Sequence, residues 1–232
     1  MPKLIQISDC HIDDQRIAMG VDSQQNLQSV IEHLQSSKFD ALLINGDLTH
    51  HGTTSSYQIL KSILSPIKQP IFVIEGNHDH AQNLGEIFKE NLFNSFMLDN
   101  WEIIKINSVQ VGKTSGLVVS TALFELDKAC LNSSAEHIII TLHHPIVPMN
   151  SSWDDELSLE NPLDLFQVLD KHSKIRMIIF GHAHEAGEFS QLDKRIISCP
   201  STALQFNQET RIGFNEYELN QNGTINLKTQ WI

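Results

Sequence analysis

An α/β fold with mixed sheets and covering helices is what this sequence predicts, and three observations carry it. Apolar runs of strand length alternate with segments of helical period over the first part of the chain, in a β-α-β-α-β rhythm. From about Glu188 onward strands dominate, which makes the sheets mixed. The 232 residues contain no internal repeat, linker or shift in composition, and 41% of them are apolar. That length and apolar content fit one domain spanning residues 1–232.

The elements follow in order. KLIQIS opens the chain as a short strand, and a polar loop leads to a helix from about Asp22 to Gln35 that lines up Leu27, Val30, Ile31 and Leu34 on one face. ALLIN reads as a buried strand, Ser55 to Leu64 as a helix, and IFVIE after Pro70 as the next strand. Strands are expected at Trp101 to Val111 and Gly116 to Thr121, then a helix near Phe124 to Leu131 and the apolar strand HIIITL. Asn161, Pro162 and Asp164 mark a helix start, as N-cap, N1 and an acid in the first turn. The strand IRMIIF ends in GHAHEAG, and the strand-rich remainder carries turn signals at Asp193 and at Asn222-Gly223, a hairpin cue between YEL and INL.

Charge narrows the partners. Sixteen Lys and Arg against 28 Asp and Glu give a net charge of −12 with no basic cluster. Binding of a long nucleic acid is therefore not expected. A small anionic substrate stays open if metal cations supply positive charge locally. The N-terminal apolar run is too short for a signal peptide, and no stretch approaches the roughly 18 apolar residues of a membrane span. Cys10, Cys130 and Cys199 are odd in number and scattered, neither a disulfide framework nor a zinc motif. The expected home is the cytoplasm.

Five strands end in polar clusters: Asp9-Cys10-His11, Gly46-Asp47, Gly76-Asn77-His78-Asp79, His143-His144 and Gly181-His182-Ala183-His184. Alone, an Asp after a strand is usually a turn former or helix cap, and a His there usually a hydrogen-bonded structural residue. Together they point to one pocket, because ligands of open α/β sheets gather beyond the carboxyl ends of strands. Carboxylate, imidazole and amide oxygen suit a hard or borderline metal ion. In an extended or turning backbone the alternate residues of D-x-H and H-x-H present two ligands to one side. Glycines 46, 76 and 181 let the backbone turn sharply beside the metals.

DCH, GD, GNHD, HHP and GHAH in this order resemble the calcineurin-like metallophosphoesterases, over residues 1 to about 205. GDLTHHG, the Trp153-Asp154 pair after HHP, and CPSTALQF after GHAH are similar to the cyclic-AMP phosphodiesterase branch, the class III cyclic nucleotide phosphodiesterases. The resemblance implies a four-layer αββα sandwich with a dinuclear centre at the strand ends. Asp9, His11, Asp47 and His184 would hold one metal, and Asp47, Asn77, His143 and His182 the other, with Asp47 bridging. In the family the metals are iron, manganese or zinc. The branch often has an Arg shortly after GNHD, where HAQN stands here, and the segment between GNHD and HHP is compact.

The implied activity is a phosphodiesterase that hydrolyses 3′,5′-cyclic nucleotides such as cAMP to 5′-monophosphates, by in-line attack of a hydroxide held between the two metals. His78 would be the catalytic residue, protonating the leaving oxygen or stabilising charge on phosphorus. Asn77, His78 and His144 would contact the small-molecule substrate, and Asp79 would orient His78 or its loop. His50, His51 and His80 flank the site, whereas His33, His137 and His172 read as structural or solvated. Cys10 would pack its side chain inward. A homodimer is compatible with the chain. Alternatives are a phosphodiesterase for other small diesters (2′,3′-cyclic nucleotides, glycerophosphodiesters) or a phosphomonoesterase. A non-catalytic scaffold is disfavoured because all seven ligand positions and His78 are present.

Overall fold

The computed structural model describes residues 1–232. Its elements in chain order are β1 (Lys3–Ile7), β2 (Ile17–Ala18), β3 (Val21–Asp22), α1 (Ser23–Gln35), β4 (Ala41–Asn45), α2 (Thr54–Leu64), β5 (Ile71–Ile74), α3 (Ala81–Ile87), β6 (Ser95–Leu98), β7 (Trp101–Lys105), α4 (Ser120–Asn132), β8 (His137–Thr141), α5 (Ser152–Leu157), α6 (Pro162–Leu169), β9 (Ile175–Phe180), β10 (Gly187–Gln191), β11 (Lys194–Ser198), β12 (Gly213–Leu219) and β13 (Ile225–Trp231). One sheet runs β13-β12-β1-β4-β5 and the other β10-β11-β9-β8-β7-β6. Strands β1, β4 and β5 are mutually parallel with antiparallel β12 on one side only, and β7, β8, β9 and β11 are mutually parallel with antiparallel β6 and β10 at either edge.

Three apolar cores separate four layers. Alternate residues of β4 divide between them: Leu42 and Ile44 join α1 and α2 in the first core, while Ala41 and Leu43 face the other sheet. In the second sheet Ile138, Ile140 and Ile178 pack under α4 and α6, and Ile139, Met177 and Ile179 close the space between the sheets. Burial on both faces explains why these strands read as continuous apolar runs instead of alternating ones. The αββα layering expected from the resemblance is present.

Departures from the sequence reading are local. The strand expected over 101–111 stops at Lys105, where its partner β8 ends at Thr141 and turns into the His143 loop. Gly116 to Thr121 forms no strand. Gly116 makes only an isolated bridge to Leu159, and helix α4 begins at Ser120. Five elements carry no pattern in the sequence: β2 and β3 have two residues each, α3 buries only Leu84, α5 has six residues, and β6 is a four-residue edge strand. Both turn signals hold. Leu192 and Asp193 take φ of 52° and 56° between β10 and β11, and Gly223 takes 86° in the β12–β13 hairpin. No helix is long and apolar enough to cross a membrane.

Candidate metal centre

All five polar clusters lie at the same end of the sandwich, just past β1, β4, β5, β8 and β9. Beneath them, buried amides tie the two sheets together. Gln6 Nε2 donates to Phe180 O (3.2 Å), Asn45 Nδ2 donates to Leu142 O (2.6 Å), and Thr141 Oγ1 donates to Asn45 Oδ1. These bonds fix the spacing of strand ends that come from different sheets.

Asp9, His11, Asp47, His182 and His184 all adopt left-handed backbone, with φ of 54°, 45°, 49°, 67° and 47°. For non-glycine residues this conformation costs on the order of 1–3 kcal/mol each and persists only where the surroundings enforce it. The D-x-H and H-x-H pairs therefore converge through left-handed residues and not through strand alternation. Of Gly46, Gly76 and Gly181, only Gly46 needs a positive φ (93°). Gly76 and Gly181 are required for close approach: a Cβ would overlap the Asp47 carboxylate at one and Ser8 Oγ at the other.

The seven side chains form two groups. Asp9 Oδ1 lies 3.5 Å from His184 Nε2, which is 3.0 Å from His11 Nε2. Asn77 Oδ1 lies 2.9 Å from His182 Nδ1 and 3.1 Å from His143 Nε2. Asp47 faces both groups, with Oδ1 3.4 Å from His143 Nε2 and Oδ2 3.6 Å from His11 Nε2. His143 Nδ1 donates to Asn45 O (3.0 Å) and His184 Nδ1 to Leu204 O (2.8 Å), which turns the lone pair of each Nε2 into the centre. Lone pairs and carboxylate oxygens thus converge with few protons between them, a donor set that fits two cations.

Electrostatics divide the set, with the carboxylates favouring the charged form of His143 while two other imidazoles stay neutral. Burial alone would raise the Asp47 carboxyl, but His143, His11 and His78 hold it well below the usual carboxylate range. His143 resists its burial because Asp47 and Asp9 push it up to about 9. Burial lowers His11 to about 3 and His182 to about 4, keeping both neutral as ligands must be.

A cleft of about 240 Å³ opens above the centre. His11, Asp47, Asn77, His78, His182 and His184 form its polar floor, while Met19, Trp153, Leu157 and Phe206 form an apolar wall, with Thr114 beside them. His78 reaches this floor with Nδ1 donating to His50 O (3.0 Å) and its backbone N–H donating to Asp47 Oδ1 (2.9 Å). The His50 ring stacks on His78, with centroids 5.1 Å apart and planes at 18°.

Asp79 does not touch His78. Its buried carboxylate accepts from the N–H of Gly76 (2.9 Å), Leu48 (3.1 Å) and Thr49 (3.2 Å) and from Tyr57 Oη (2.9 Å), binding the Asp47 loop to the Asn77 loop. Burial and the neighbouring Asp47 push it up to about 6 against those donors.

His144, expected at the substrate, is buried outside the cleft lining. Its Nδ1 lies 2.8 Å from Ser108 Oγ and its Nε2 3.1 Å from Thr114 O, so both nitrogens are engaged within the protein. His51 pairs with Asp13 (2.6 Å), and His80 caps α3. Cys10 is buried in the first core, and burial pushes its thiol up to about 12. The apolar wall was absent from the sequence reading as a site feature, although Trp153 and the CPSTALQF segment containing Phe206 stood in its motifs.

Comparison with known proteins agrees with this geometry. The chain matches the calcineurin-like phosphoesterase family over residues 2–186. It is 57% identical over 229 residues to a protein of Vesicomyosocius okutanii named probable cyclic nucleotide phosphodiesterase, covering 99% of this chain and 98% of the relative. It is 26% identical to the 3′,5′-cyclic adenosine monophosphate phosphodiesterase CpdA of Haemophilus influenzae, covering 99% and 90%. A crystal structure of a dimetal phosphatase from Danio rerio shares the fold, with a TM-score of 0.79 at 13% identity over 99% of this chain and 96% of the other. With five strand-end motifs on one floor and a family match that spans them, this chain belongs to the calcineurin-like phosphoesterases.

Proposed function

We propose that the chain, acting as one unit over residues 1–232, hydrolyses 3′,5′-cyclic nucleotides, cAMP among them, to 5′-nucleoside monophosphates. The observation that carries this reading is the Asp47 carboxylate, which directs one oxygen to each donor group. Calcineurin-like phosphoesterases use two metal ions, and relatives along the whole chain are named cyclic nucleotide phosphodiesterases.

In this reading Asp9, His11, Asp47 and His184 hold one ion and Asp47, Asn77, His143 and His182 the other; iron, manganese and zinc all match these donors. Bound there, the pair supplies Lewis acidity toward the phosphoryl oxygens and lowers the pKa of the attacking water. On a chain of net charge −12 with no basic cluster, those two cations would be the main source of attraction for a phosphodiester.

The side chains do the rest. Asn77 Oδ1 faces the centre, which leaves its amide N–H free to hold a phosphoryl oxygen. His78, fixed through Nδ1, presents Nε2 to the cleft. As water oxygen bonds to phosphorus, the bond from phosphorus to O3′ breaks, and His78 Nε2 delivers the proton that the leaving alkoxide needs.

The test is a panel of cAMP, cGMP, 2′,3′-cyclic AMP, a glycerophosphodiester and a nitrophenyl monoester, given to metal-free protein reconstituted with manganese, iron or zinc. The 3′,5′-cyclic nucleotides should show the highest kcat/KM. A monoester or 2′,3′-cyclic nucleotide turned over tenfold faster would overturn the assignment.

A further inference from the structure

We infer that the apolar wall of the cleft is the nucleobase subsite, and that it grips the base by its flat face without reading its edge, so adenine and guanine are accepted alike. The inference rests on the cyclic-nucleotide reading above and extends it to the part of the substrate that the metals do not touch.

The wall grows directly out of the metal floor. Phe206 lies flat on the His184 ring, with centroids 4.0 Å apart and planes at 8°. Trp153 stands perpendicular to Phe206 at 5.1 Å and 88°, forming a corner. Met19 and Leu157 complete the apolar lining. Trp153 is 54% exposed and Phe206 39%, so both keep aromatic surface open to solvent that folding has not used. A phosphodiester held on the floor places its other end against this corner. The chemistry that matches a charged floor joined to an aromatic corner is a phosphate attached to a flat, weakly polar ring.

What the wall lacks sets its selectivity. Telling one purine edge from another takes side chains that pair with two base atoms at once, such as Asn, Gln, Arg or a carboxylate. None lies on the wall, and Asn77 and Asp47 are committed to the floor. The Trp153 indole N–H and the Thr114 hydroxyl offer single contacts. Stacking tolerates any base because every base has a π-face, and it contributes roughly 1–3 kcal/mol per base, about 5- to 150-fold. Sites that use only shape and apolar contact discriminate far less than sites built to hydrogen-bond.

The experiment crosses two enzymes with two substrates: wild type and Trp153→Ala, each with cAMP and with the methyl riboside 3′,5′-cyclic phosphate, which has the same reacting centre and no base. Wild type should prefer cAMP by about 10- to 100-fold in kcat/KM, Trp153→Ala should erase most of that preference through KM, and Trp153→Phe should restore it. The wild-type kcat/KM values for cAMP and cGMP should agree within tenfold. Equilibrium dialysis of AMP and ribose 5-phosphate against manganese-loaded protein gives a readout independent of turnover, with AMP binding 10- to 100-fold tighter in wild type only. If no cyclic phosphate is hydrolysed but AMP keeps its Trp153-dependent advantage, the proposed reaction falls and the base subsite stands. Equal losses on both cyclic substrates, equal binding of AMP and ribose 5-phosphate by wild type, or more than 100-fold discrimination between cAMP and cGMP would overturn the inference.

Discussion

The floor and the wall of the cleft are built on opposite physical principles. Five of the seven candidate ligands on the floor sit in left-handed backbone, and their carboxylates and imidazoles are buried. The floor is held by carbonyls that orient His143 and His184, by glycines with no room for a methyl group, and by Asp79 clamping two loops together. The wall is built around two exposed aromatic side chains, Trp153 on a six-residue helix and Phe206 on a loop, which meet each other, with Phe206 also stacked on the His184 ring. The difference teaches that precision is concentrated where charge must be placed to within a fraction of an ångström, whereas stacking on a flat ring tolerates looser geometry.

Breaking the floor should therefore have the largest effects. Asp47→Asn removes charge facing both donor groups, so metal analysis should find both ions depleted and turnover reduced beyond the roughly 10⁴-fold ceiling for loss of a general acid. Asp9→Asn should deplete mainly one. Identical single-ion losses in the two variants would remove the bridging role. Next comes His78→Ala, expected to lower cAMP hydrolysis by about 10²- to 10⁴-fold while costing a nitrophenyl diester far less, because a phenolate leaves without a proton. Metal content should not change. Equal losses on the two substrates would reassign His78 from proton donor to charge stabilisation.

The same contrast explains what could be read from sequence. The strands carrying the floor are mostly buried, β5 at the sheet edge least so, and KLIQIS, ALLIN, IFVIE, HIIITL and IRMIIF therefore stand out as apolar runs whose following polar residues mark the strand ends. The left-handed backbone was hidden, because spacing shows that two ligands alternate but not how the chain turns between them. Position beside a ligand loop puts His144 near the substrate in the sequence, yet the turn after β8 sends it into a buried contact with Ser108. The wall had no period to betray it. Trp153 and Phe206 stand in separate motifs of the resemblance, but nothing in the sequence joins them into a wall, and only the folded chain brings their ring centroids to 5.1 Å.

A pair of glycine variants sharpens the contrast within the floor. Gly46 and Gly112 both take positive φ, 93° and 76°, so alanine carries a similar backbone strain at either, about 1–2 kcal/mol. A Cβ on Gly112 meets nothing within 4 Å, whereas on Gly46 it would run into the His143 ring. Metal titration of Gly46→Ala should show at least the roughly 10- to 100-fold loss of affinity that follows disturbance of a ligand's support. Gly112→Ala should bind metal as wild type does. Equal affinities in the two variants would mean that His143 tolerates displacement and that the floor is less constrained than its packing indicates.

The smallest effect tests how far the floor's rigidity extends below the ligands. Tyr57, buried in the first core, donates from Oη to Asp79 (2.9 Å) and accepts the His80 N–H (2.9 Å) with the same oxygen. Tyr57→Phe keeps the ring in its core position and deletes only that oxygen. Asp79 then retains its three backbone donors, so the Asp47 and Asn77 loops stay joined, while the His80 N–H loses its partner. Loss of a part-buried hydrogen bond of this kind costs about 0.5–1.5 kcal/mol, and for a domain of this size each kcal/mol lowers Tm by roughly 2–4 °C. Thermal denaturation should therefore show a fall of a few degrees with metal stoichiometry intact. If stability is unchanged but one ion is lost, the hydroxyl serves the metal centre itself and not the loops beneath it, and the boundary of the rigid floor moves inward to Asp79.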